Sequence, residues 1–126
     1  MKTEKQLQLV SFEQAKRLKE LGFDWGTSEL YFKDGALRGN YKLSNHNADS
    51  GYMHLCSAPT VALALKWCEQ EKGIIGYSNC IYPKSWTFYI WVFDEWRINL
   101  RGILGSREKS DSALLDEILT ILEKRN

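Results

Sequence analysis

"IIGYSNCIYPKSWTFYIWVFDEWRINLRG", residues 74–102, decides how this chain folds. Two apolar runs flank Pro83-Lys84-Ser85, and a third run begins after Asp94-Glu95. Proline has no N–H to give a sheet ladder, so Pro83 belongs at a turn and the flanking runs read as two strands. Beyond the second turn, Trp96, Ile98 and Leu100 alternate with Arg97, Asn99 and Arg101. That alternation predicts a third strand with one wet face. Strands joined by tight turns pair antiparallel, which sets this chain apart from doubly wound parallel folds.

The middle run carries the larger question. On a strand, Trp86, Phe88, Ile90 and Val92 point one way, and Thr87, Tyr89, Trp91 and Phe93 point the other. A strand apolar on both faces is covered on both. Helices supply one cover. The other is a further helix of this chain, a second copy, or a ligand. Seven of the fifteen residues in 82–96 are aromatic, so base stacking also has to be weighed. Stacking platforms sit inside positive grooves. Here Lys84, Arg97 and Arg101 stand against Asp94 and Glu95, and the whole chain has 17 Lys plus Arg against 16 Asp plus Glu. A net charge of +1 disfavours nucleic-acid binding, whose affinity comes largely from neutralised phosphates.

Working outward, three helices are predicted. In "SFEQAKRLKELGF", residues 11–23, Ser11 and Gln14 make a capping box and Gly22 closes the helix in left-handed backbone. A second helix opens at "CSAPT", with Ser57 as cap and Pro59 in the first turn, and stops at Gly73. Its inward stripe reads Val61, Leu65 and Cys68, with Leu63 and Trp67 on the flank. The last helix, "SALLDEILTILEKR", takes Asp111 or Ser112 as cap. Its stripe, including Leu115, Leu119 and Leu122, is wider than one buried face needs. Asp34-Gly35 predicts a hairpin with strands near 30–33 and 36–43.

The reading is an α+β fold: one antiparallel sheet of about four to five strands with three helices packed on it, in a single domain over 1–126. A chain of 126 residues with 44% apolar composition builds a core without disulfides or metal. "MKTEKQLQLV" has no signal-peptide run, and no apolar stretch is long enough to span a membrane. Three cysteines, Cys56, Cys68 and Cys80, then fit free thiols in a cytoplasmic setting.

Chemistry-bearing residues gather only in "MHLCSAPT". His54 and Cys56 share a face if this piece is extended, and a cysteine at a helix start can have a lowered pKa. Ser57 and Pro59 are accounted for as helix-start residues, and a buried structural cysteine is the simpler reading of Cys56. His46, Asp49, His54 and Cys56 match no structural zinc spacing, and His46 is expected in solvent. No glycine-rich phosphate loop is present, so neither metal nor cofactor is expected.

The pieces "SFEQAKRLKELGFDW", "SAPTVALALKWCEQEKG", "IYPKSWTFYIW" and "SALLDEILTILEK", in that order, resemble a family of small proteins from phage and prophage regions of gut bacteria. The resemblance is carried by Ala58-Pro59-Thr60 with Trp67 and Gly73, and by Ala113-Leu114-Leu115. It implies a phage-associated setting, with no established activity or cofactor to carry across. Cys68 stands where leucine more often follows the helix tryptophan.

Together these readings point to a non-enzymatic interaction or accessory module that self-associates or binds another protein. Its candidate partner surface is Tyr89, Trp91, Phe93, Leu115, Leu119 and Leu122. A single-strand nucleic-acid binder using Tyr89 and Trp91 is the alternative, and a small enzyme using His54 or Cys56 a third reading.

Overall fold

The structure, a computed structural model, describes residues 8–39, 43–48, 56–82, 85–92 and 95–125. Helix α1 (Phe12–Glu20) begins as its sequence dictates: Gln14 N–H donates to Ser11 Oγ, and Ser11 N–H donates to Gln14 Oε1. It ends in a Schellman turn, with Gly22 at φ 99° and Phe23 N–H donating to Leu18 O.

Strands β1 (Leu30–Tyr31) and β2 (Leu37–Arg38) form the hairpin, turning at Asp34-Gly35 with Gly35 at φ 88°. The Asp34 carboxylate accepts from Ala36 N–H, which fixes the turn. Both strands are shorter than expected from the sequence. After a 3-10 turn (His46–Ala48), β3 (Cys56–Ser57) pairs with β1 and completes a sheet ordered β2-β1-β3.

That pairing moves the start of the next helix. Ser57 lies in β3 and is 1% exposed, so it does not cap. Helix α2 (Val61–Lys72) is capped by Thr60, whose side chain accepts from Leu63 N–H, and it stops at Gly73, φ 74°. Val61 N–H donates to Gln8 O and Val10 N–H donates to Pro59 O, so the segment before α1 is stitched to the entry of α2. Trp67, placed on the flank by the sequence reading, is instead fully buried, edge-on to Phe23 at 5.4 Å, while Leu65 is half-buried. The helix packs against two neighbours, so its buried arc is broader than one stripe.

Strands β4 (Ile74–Tyr82), β5 (Ser85–Val92) and β6 (Glu95–Leu104) form the antiparallel meander predicted from residues 74–102. The fold is α+β, as expected, but its strands divide between two three-stranded sheets rather than one. Helix α3 (Arg107–Arg125) starts five residues before the predicted helix begins at 112. Ser106 caps it, accepting from Lys109 N–H through Oγ, so neither Asp111 nor Ser112 is the cap.

Helices α2 and α3 lie on one face of the meander, and α1 packs on α3 and β3. Between these layers sits the core, with Phe88, Ile90 and Val92 from β5 against Leu114, Leu115, Ile118 and Leu119 from α3. Gln14, 3% exposed, fastens α1 to α3 by donating to Asp116 Oδ1 and Ser112 O. Arg17 adds a bidentate pair with Glu123 at 2.7 and 2.9 Å.

Candidate functional site

Alternation along β4 and β5 sorts their side chains between the two faces. Ile74, Phe88, Ile90 and Val92 are buried toward the helices. Ile75 (40% exposed) and Tyr77 (48%) point the other way on β4, and Ile81 (47%) is exposed where the register with β5 shifts between Cys80 and Tyr82. The ladder sets Tyr77 opposite Tyr89 and Ile75 opposite Trp91, and the two tyrosine rings meet at 5.5 Å. Tyr89 and Trp91 are half-buried. Among the described residues no helix lies over this outer face. Its described outward positions on β4 and β5 (Ile75, Tyr77, Asn79, Thr87, Tyr89, Trp91) carry no charge.

The sequence reading of partner residues divides accordingly. Tyr89 and Trp91 lie on the outer face, side by side with Tyr77 and Ile75. Leu115, Leu119 and Leu122 do not join them: all three are buried within the chain, between α1, α2 and the sheet. The broad stripe of α3 is explained by its position under three elements, and no part of it is left for a partner. Phe93 lies outside the described residues. The sequence reading missed Ile75, Tyr77 and Ile81. The period-2 spacing of Ile75 and Tyr77 in "IIGYSNCIY" was the available signal.

Chemically active groups are placed for structure. Cys56 is buried beside Tyr31, and burial pushes its thiol above the ordinary range. Cys68 is pushed up to about 12 by burial. Neither is poised as a thiolate. His54 lies outside the described residues. His46 is 9% exposed rather than solvated, with Nε2 2.9 Å from Thr27 O, because it closes the bridge between Thr27 and Ser44.

A polar cluster stands where α3 meets β4. Ser78 donates to Asp111, Ser110 Oγ lies 2.7 Å from Ser78 Oγ, and Ser110 also donates to Thr87 O. Among the described residues neither hydroxyl bonds to an imidazole or amine, so the set lacks the base a serine nucleophile requires. Its effect is to pin the first turns of α3 to the meander. Beside it an open groove of about 320 Å³ runs between α2 and β4, bordered by Leu65, Lys66, Glu69, Gly76 and Tyr77. Among the described residues no cluster of His, Cys, Asp and Glu is arranged to hold a metal ion, and no helix is long and apolar enough to cross a membrane.

No family model matches the chain, and comparison with curated proteins and with solved structures finds no match.

Proposed function

We propose that this protein is a small non-enzymatic interaction module that self-associates through the apolar sheet surface around β4 and β5. One observation carries the reading: Ile75 and Tyr77 are 40% and 48% exposed beside Trp91 and Tyr89, on the sheet face opposite the helices. Contiguous exposed apolar surface of this kind marks interaction sites. Among the described residues, the outward positions of β4 and β5 offer no charge for an oppositely charged partner to match. A second copy presents the same apolar surface, and symmetric self-association is the commonest solution for such faces.

The phage-associated setting rests on the sequence resemblance alone. A cytoplasmic setting is supported by three free cysteines. Equilibrium sedimentation with Tyr89→Lys and Trp91→Lys variants tests the reading: wild type associates and the variants weaken it. Wild type that never associates, yet shows tryptophan quenching by single-stranded oligonucleotides that salt reverses, replaces it with base stacking.

A further inference from the structure

We infer that the second copy lies face to face on this sheet, with the two-fold axis running along β5, so that Tyr89 and Trp91 each meet their own counterpart. This rests on the self-association proposed above and specifies its geometry. The register divides the outer face into levels: Ile75 stands opposite Trp91, Tyr77 opposite Tyr89, and Asn79 opposite Thr87. Along the strands the face therefore runs from an apolar level, through a tyrosine level, to a polar one. Pairing with β6 sets Trp96 opposite Trp91 and Ile98 opposite Tyr89 in register.

Sheets that pack face to face keep their strand directions within about 30° of each other, at a spacing of about 10 Å. A two-fold axis between them runs either across the strands or along them. An axis across the strands at the tyrosine level inverts the order, setting Ile75 and Trp91 against the partner's Asn79 and Thr87. Polar groups held against apolar ones in a closing interface lose water without gaining a hydrogen bond. An axis along the strands keeps the order. Apolar then meets apolar, tyrosine meets tyrosine, and Asn79 meets polar neighbours. A second copy matches every level in this way by symmetry alone.

Area places the axis. Three strands about 4.8 Å apart, with about 26 Å of paired length, offer a strip of about 400 Å² per copy. A standard interface buries about 800 Å² per partner, so this contact belongs to the small, reversible class. Only complete overlap uses the whole strip, and complete overlap puts the middle strand, β5, on the axis. Tyr89 and Trp91 then sit at the centre of the contact, where tyrosine and tryptophan contribute most. Ile75 and Tyr77, more exposed on β4, come to lie under the partner's β6. The face on which self-association rests is covered across its width.

Oxidative coupling of tyrosines tests this on the unmodified protein. A ruthenium photosensitiser with persulfate joins rings in contact as dityrosine, and a residue joined to its own counterpart comes only from two copies. Peptide mass spectrometry of the covalent dimer should show Tyr89 joined to Tyr89. It should show no Tyr77 joined to Tyr77, since two strand spacings, about 10 Å sideways, separate that pair across the axis. Tyr89→Phe keeps the ring, so it should sediment as wild type does while its yield of covalent dimer falls several-fold. A wild-type dimer that gives self-joined Tyr77, or no self-joined Tyr89, overturns this axis while leaving self-association standing. So does a Tyr89→Phe yield equal to that of wild type. Wild type that is monomeric at every concentration removes self-association itself.

Discussion

Gly76 lies directly under Leu114. A Cβ built on Gly76 would stand 2.6 Å from Leu114 Cδ1, 3.2 Å from Leu114 Cγ and 3.0 Å from Ile118 Cδ1. Both helix side chains are fully buried, so neither has space to retreat. The closeness of β4 and α3 depends on that missing methyl. Gly76→Ala is therefore expected to destabilise by about 1–3 kcal/mol through overpacking. Urea unfolding measures it, and in a Leu114→Ala background the same change should cost clearly less. Equal cost in both backgrounds would mean the two residues do not touch.

Capping separates the observed chain path from the one the sequence favoured. Thr60 accepts from Leu63 N–H, so Thr60→Ala should cost about 1 kcal/mol. Ser57 Oγ is buried and, among the described residues, has no hydrogen-bond partner. Its removal in Ser57→Ala should be neutral or mildly stabilising, since an unpaired buried hydroxyl is a cost. Thermal melts of the two variants decide, and a larger loss for Ser57→Ala would return the cap to Ser57.

Thiol chemistry follows burial. Cys80 is exposed, whereas Cys56 and Cys68 are buried with their thiols raised above the usual range. A disulfide reagent at mildly alkaline pH should label one thiol quickly in the folded protein and all three after denaturation. Fast labelling of two would show that Cys56 opens to solvent.

The Arg17 pair gives a pH dependence of known sign. Hydrogen bonding to Arg17 holds the Glu123 carboxyl below its ordinary value. A depressed folded-state pKa stabilises above the unfolded value, and that contribution is lost as pH falls through the folded one. Glu123 is 41% exposed, so solvent screening limits the effect to under about 1 kcal/mol. Glu123→Gln should lower stability at neutral pH and converge with wild type in acid. A constant difference between the two at all pH values would assign the loss to packing.

Local signals read well where a single element determines the outcome. The Ser11–Gln14 box, Gly22, Gly73 and the Asp34-Gly35 turn each follow from the conformational limits of those residues. The meander was legible because Pro83 and the alternation after Asp94-Glu95 leave little choice. Where two segments compete for one residue, sequence was silent. Ser57 reads as a helix cap until β1 takes it as a strand partner, and "GSREK" reads as loop until Ser106 caps it into α3. The width of the α3 stripe indicated heavy burial, yet not that α1, α2 and the sheet supply it. Hence Leu115, Leu119 and Leu122 looked like partner residues, while the outward positions of β4 went unremarked in a strand whose edge status depends on long-range pairing.

Light scattering of wild type and of an Ile75→Lys, Tyr77→Lys double variant, from dilute to concentrated solution, bears most directly on the outer sheet surface as a self-association site. The account predicts that wild type moves from 14.6 kDa toward twice that mass as it is concentrated. The double variant should stay at the monomer mass with an unchanged melting temperature. Wild type held at 14.6 kDa throughout would contradict the account.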